Sequence, residues 1–337
     1  VAEAVRGAVR SDRSLSPAGV TGPWLAVAAP SFGQPADVAV VDAAVPVPDE
    51  GPRGWRRTVL ALLRRPVGVV SLLVLLGVLV LALFGDWLAP YGINEVNLDA
   101  RLQPPSAEFW FGTDELGRDI LSRVIASAAV SVRVSVIAVS IALVVGVGLG
   151  LLAGFFGGWL DTVIMRSQDV LFAFPEILLA MAIVAILGPG VTTATIAIGV
   201  VYIPVFARVT RASTLSVRTE TYVRAAKSLG AGPGRQMVRH VLPNISAPII
   251  VQTSLSLAFA ILSEASLSFL GLGVQPPEPS WGRMLFDSRA FFQDAWWMSV
   301  FPGLAVFVTV LACNLLGDIL RDVLDVRSSA TARGGTR

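Results

Sequence analysis

Cysteine, histidine and lysine each occur once, as Cys313, His240 and Lys227. A single cysteine excludes a disulfide framework and any multi-cysteine zinc or iron–sulfur site, and a single histidine excludes a histidine-rich metal cage. Charge is scarce as well: 15% of the 337 residues are Asp, Glu, Lys or Arg, against about 25% in soluble domains. That deficit excludes a disordered chain, a nucleic-acid-binding module and an ordinary cytosolic enzyme. Net charge, at +2, selects no partner. Gly-x-x-x-x-Gly-Lys-Ser/Thr is absent too, so the chain has no loop of that kind to cradle ATP phosphates. What is plentiful is apolar: 54% hydrophobic residues and a mean hydropathy of +0.70. These values point to an all-α, polytopic membrane protein.

Residues 1–55 read as a disordered cytoplasmic tail, punctuated by Pro23, Pro30, Pro35, Pro46, Pro48 and Pro52 and lacking periodicity. The tail has no signal-peptide pattern. Arg53, Arg56, Arg57, Arg64 and Arg65 then precede the first apolar run. Six runs read as transmembrane helices, over 67–84, 134–156, 170–187, 191–206, 247–272 and 298–316. The segment 86–119 carries seven acidic residues against Arg101 and Arg118. Between the fourth and fifth runs, Arg208, Arg211, Arg218, Arg224, Lys227, Arg235 and Arg239 face only Glu220. Basic loops stay inside, and strict alternation of six spans agrees, placing both termini in the cytoplasm. The expected layout is a transmembrane domain over 56–326, a cytoplasmic hairpin at about 212–245, and a cytoplasmic C-terminal tail over 327–337. Gly146, Gly150 and Gly154, four apart, mark a face for close helix packing. The absence of an inverted repeat weighs against a secondary transporter.

The basic loop reads Y-V-R-A-A-K-S-L-G-A-G-P-G-R-Q-M-V-R-H-V-L-P-N from Tyr222. Good helix formers run over 221–229, and Gly230 supplies the left-handed residue that ends such a helix. Gly232 followed by Pro233 suits the start of a second helix, which Pro243 is expected to stop. An ordered hairpin of this kind, in a chain with little other cytoplasmic mass, should dock a partner.

This loop resembles the signature of binding-protein-dependent ABC importer permeases, with Ala225, Ala226, Gly230, Leu242 and Pro243 in register. Arg224 stands where the signature has Glu, and His240 where it has an apolar residue. The resemblance extends to F-G-T-D-E-L-G-R-D over 111–119, F-A-F-P-E from Phe172 and L-S-E-A-S-L-S-F-L-G-L-G from Leu262. Together these segments are similar to the second permease subunit of dipeptide, oligopeptide and nickel importers. The resemblance implies the type I ABC importer permease fold in a bacterial inner membrane, and a non-catalytic subunit that moves short peptides by alternating access. It implies as partners a second permease, one or two ATPases that bind ATP and Mg, and an extracellular solute-binding protein. The chain itself then holds no cofactor, metal or nucleic acid. Arg224, Ala225, Ala226, Gly230, Leu242 and Pro243 are the residues expected to couple to the ATPase. Import of nickel or glutathione is the alternative within the class, and an ion-coupled secondary transporter the alternative outside it.

Polar residues inside the spans are the remaining candidates. Gln252, Ser256, Ser263 and Ser266 share one helical face, with Glu264 about a quarter-turn away; pathway lining and interhelical hydrogen bonding account for them equally well. Glu176 is expected to reach the cytoplasmic interface, and His240 to be a surface residue. Thr113 or Asp114 is expected to cap an amphipathic helix carrying Ile120, Leu121, Val124 and Ile125. Trp281, Trp296 and Trp297 read as interfacial anchors.

Overall fold

The computed structural model describes residues 62–333, with side chains to residue 324. The tail over 1–55, with Arg53, and Arg56 and Arg57 after it, lies outside the described residues. The chain forms α1 (Pro66–Leu88), α2 (Ile120–Phe156), α3 (Gly158–Phe172), α4 (Glu176–Leu187), α5 (Val191–Val217), α6 (Thr221–Ser228), α7 (Ser246–Phe269), α8 (Trp281–Ser288) and α9 (Trp297–Arg333). Among the described residues there is no strand. Five of these helices are long and apolar enough to cross a membrane, and α3 with α4 makes a sixth when the pair is counted as one span.

Local chemistry sets the ends. Pro66 occupies the first turn of α1, where its missing N–H costs nothing. The Asp119 carboxylate caps α2, accepting from the Ser122 N–H at 2.8 Å and the Ser122 hydroxyl at 2.7 Å. The cap is therefore Asp119, not Thr113 or Asp114. Ile120 also opens the same helix that continues to Phe156, not a separate amphipathic element. At 37 residues α2 runs about 55 Å, well beyond a hydrocarbon core of about 30 Å. Gly157 and Gly158, with φ of +67° and +60°, reverse the chain into α3.

The third span is not one straight helix over 170–187. It bends by 89° between α3 and α4, because Pro175 offers no N–H and disfavours helical backbone at Phe174. α4, at 12 residues, is about 18 Å long and cannot cross alone. The hairpin's second arm also departs from expectation. Pro243 does not stop it; the backbone winds continuously from Pro233 through a π-helical stretch (Gln236–Val241) and a 3₁₀ turn (Leu242–Ile245) into α7. The wider turn re-routes the bonds that proline breaks. The Leu242 N–H donates to the Met237 carbonyl, five residues back, and the Asn244 side chain donates to the His240 carbonyl at 2.7 Å.

Among the described residues, three apolar clusters hold the bundle. Val134, Ala138 and Ala142 of α2 pack with Ala180 and Val184 of α4 and with Ala197, Ile198 and Phe206 of α5. At one end, Ile120 and Val124 meet Ile261 and Ala265 of α7, Trp281 and Met284 of α8, and Trp297 and Met298 of α9. At the other, Leu151 of α2 meets Val223, Val241, Ile245 and Ile249. The α2–α5 contact follows the glycine stripe. A Cβ on Gly146 would lie 2.6 Å from the Ile203 carbonyl, and one on Gly154 2.7 Å from Thr214 Cβ. Gly150 backs onto the Ala207 carbonyl more closely still. These close approaches give the stripe its packing role.

Candidate coupling surface and translocation face

α6 is eight residues long and ends in a complete Schellman motif: Ala231 N–H donates to the Ala226 carbonyl and Gly230 N–H to that of Lys227, both at 3.0 Å. Gly230 has φ +83°, the left-handed conformation expected of it. The helix is two-faced. Val223 and Ala226 are buried, whereas Tyr222, Arg224, Ala225, Lys227 and Leu229 are exposed, Leu229 at 88%. Thus the two signature alanines lie on different faces, Ala226 buried in its own chain and Ala225 exposed. Partial desolvation of its ring, helped by the charge of Glu220, pushes the Tyr222 phenol above its ordinary pKa. Of the other signature residues, Leu242 packs on the apolar cluster and Pro243 is exposed. His240 is partly exposed.

Side chains the signature does not mark fasten the hairpin's base to α2, α5 to α3, and the hairpin's second arm to its own turn. Arg218 donates to the Gly154 and Phe155 carbonyls at 2.7 and 3.1 Å, satisfying acceptors left open at the end of α2. Arg211 grips Asp161 of α3 bidentately at 2.5 and 2.6 Å. Buried Gln236 donates to the Ala231 carbonyl at 2.6 Å. Between these elements lies a cleft bordered by Phe155, Arg218, Arg224, Lys227 and Pro233, basic on its rim. The sequence shows these side chains but not their partners: those of Arg211 and Arg218 lie 50 to 64 residues away.

The polar residues of α7 divide. Gln252 donates to Ser256 at 3.1 Å, Ser256 being buried, and Ser266 bonds back to the Leu262 carbonyl at 2.7 Å. Glu264, 1% exposed, is turned into the bundle, accepting from Ser131 of α2 at 2.9 Å and Ser268 at 2.8 Å. Ser263 meets the Tyr202 hydroxyl of α5 at 3.1 Å. That hydroxyl also lies 3.5 Å from Glu176 Oε2, at the start of α4. Glu176 is exposed but is not at the hairpin end: it is eleven residues, about 16 Å, from the far end of α4.

The opposite end is a compact acidic loop. Asp114 Oδ1 accepts from the N–H groups of Leu116 and Arg118, and its Oδ2 pairs with Arg118 at 2.6 Å. Burial and neighbouring Asp114 raise the Glu115 carboxyl above the usual range. Of the three tryptophans expected at the interface, two are not interfacial anchors. Trp281 and Trp297, 2% and 5% exposed, donate inward to the Val124 and Thr113 carbonyls at 3.0 Å each; only Trp296 is exposed as an interfacial anchor should be.

Residues 146–329 match the family model described as the binding-protein-dependent transport system inner membrane component, and residues 54–105 match the N-terminal transmembrane domain of oligopeptide transport permease C. The chain is 47% identical over 271 residues to the dipeptide transport system permease protein DppC of Alkalihalophilus pseudofirmus, covering 80% of this chain and 89% of that one. It is 49% identical over 261 residues to the di/tripeptide transport system permease protein DppC of Pseudomonas aeruginosa, covering 76% and 86%. The glutathione transport system permease protein GsiD of Escherichia coli O157:H7 is 46% identical over 272 residues, covering 80% and 88%.

Proposed function

From the premise that the chain belongs to the family of binding-protein-dependent transport system inner membrane components, we propose that it is the peptide-translocating permease subunit of an ATP-driven ABC importer. It performs no covalent chemistry; ATP and Mg are bound by one or two partner ATPases. A second permease completes the pathway, and a binding protein delivers solute at the acidic loop. The hairpin and both termini face the cytoplasm.

The observation that carries this reading is the two-faced hairpin. Its outer face offers Arg224, Ala225 and Leu229 for docking, while Ala226, Gly230 and Leu242 shape it from within. Its inner face is packed with Leu151 of α2 and Ile249 of α7. Interiors at native density transmit displacement rather than absorb it, so a push on α6 moves helix ends. Alternating access then needs only that ATP binding favour one helix arrangement over the other.

The test is reconstitution of the complete importer, both permeases with the ATPase or ATPases and the binding protein, in proteoliposomes. ATP-dependent uptake of a dipeptide is the expected result, with glutathione as the second substrate measured because GsiD is among the relatives. Uptake by the chain alone, driven by an ion gradient, would establish the secondary-transporter reading instead.

A further inference from the structure

Glu176 is a carboxylate in a place where lipid is an unacceptable neighbour. It opens α4 immediately after the Pro175 break, about 16 Å from the far end of a span that must cross about 30 Å. Tyr202, eleven residues along α5 from Val191, lies at the same depth, and Ser263 of α7 closes the group. Three helices therefore converge on one polar cluster about 16 Å from the turn that joins α4 to α5. Within it the Tyr202 hydroxyl is held between Ser263 Oγ at 3.1 Å and Glu176 Oε2 at 3.5 Å. Tyr202 is 4% exposed, whereas Glu176 is open to the surface beside exposed Phe172 and Phe174.

Arg208, six residues along α5 from Tyr202, does not neutralise Glu176. Arg208 is bound to Asp169 at 2.8 Å and stacks 4.0 Å over the Phe172 ring. Among the described residues Glu176 makes no ion pair. Ionisable groups inside a span face a protein partner or a watery path, and broken helices at mid-membrane are where transporters place solute contacts. A carboxylate with one neutral hydroxyl beside it and its other side open is built for a transient cation.

Building on the importer reading above, we propose that Glu176, oriented by Tyr202 and Ser263, is a transit site for the α-ammonium group of the peptide as it crosses the membrane. A free α-ammonium is the one cation common to dipeptides, tripeptides and glutathione. The single carboxylate suits passage, because a site on a conduction path must hold its solute loosely enough to release it.

The experiment uses the complete importer in proteoliposomes with alanyl-alanine as solute, comparing wild type, Glu176→Gln, Glu176→Asp and Tyr202→Phe. Glu176→Gln keeps the shape and removes the charge, so uptake per ATP hydrolysed is expected to fall about tenfold, the scale of one charge-assisted hydrogen bond. Glu176→Asp should restore most of it, and Tyr202→Phe should lie between. Wild-type uptake per ATP in Glu176→Gln would overturn the assignment. So would loss of the second permease on co-purification of Glu176→Gln, since the carboxylate would then be a subunit contact. A wild-type complex that hydrolyses ATP without importing alanyl-alanine would instead overturn the peptide reading itself.

Discussion

Single residues carry consequences that their type alone does not announce. At Gly230 a Cβ would meet no atom within 4 Å, so any penalty for a side chain comes from φ +83° alone. For Val this is about 1–2 kcal/mol, enough to open the Schellman turn in a helix of eight residues. Gly230→Val is expected to reach the membrane at normal level and to lose ATPase on co-purification, with Gly230→Asn retaining more. The alanines give a sharper contrast. Ala225→Asp leaves the chain's own packing intact and should abolish partner binding only, whereas Ala226→Asp buries a charge within the hairpin and should lower the chain's thermal stability as well. The tryptophans show what sequence leaves out. A Trp near a span end reads the same whether its N–H meets headgroups or a buried carbonyl. Trp297→Phe strands the Thr113 carbonyl and should cost about 1–3 kcal/mol in a detergent melting assay, while the same change at exposed Trp296 should stay within about 0.5 kcal/mol.

Among elements, periodicity was legible and partnership was not. The glycine stripe at 146, 150 and 154 announces a close approach, but nothing in it says that α5 is the helix approached; that follows from sites such as the Ala207 carbonyl and Thr214, about sixty residues on. Gly150→Val is expected to force α2 from α5, lowering membrane-inserted yield and costing about 3 kcal/mol or more, the upper range for overpacking. Gly148, with nothing within 4 Å of a Cβ, is the control: Gly148→Ala should be neutral or stabilising through helix propensity. The two prolines illustrate the limit on reading breaks. Pro175 bends its span by 89°, yet Pro243 leaves its helix continuous, because the π-helical turn ahead of it and the Asn244 side chain supply the missing bonds. Both positions carry the same residue; the difference lies in neighbours able to absorb it.

At the scale of the molecule, charge separates along the bundle axis, and this asymmetry makes orientation testable. Seven basic residues, Arg208 to Arg239, border the hairpin, while the segments 89–119 and 270–296 carry two each, Arg101 with Arg118 and Arg283 with Arg289. Folding widens that difference. Arg118 is neutralised by Asp114 and Glu115, and Arg283 by Asp287 at 2.9 Å, whereas Arg224, Lys227, Arg235 and Arg239 remain exposed or partly exposed. Basic residues near short loops hold those loops in the cytoplasm, so the hairpin end is expected inside and the acidic loop outside. The chain's one cysteine makes the measurement clean, because Cys313 is buried within the bundle. With a membrane-impermeant maleimide on intact spheroplasts, Glu108→Cys should label at once, and Gly234→Cys only after the membrane is opened; both positions are exposed. Labelling of Gly234→Cys in sealed spheroplasts would invert the bundle, put the hairpin out of reach of any cytoplasmic ATPase, and remove the mechanical basis for ATP-driven import.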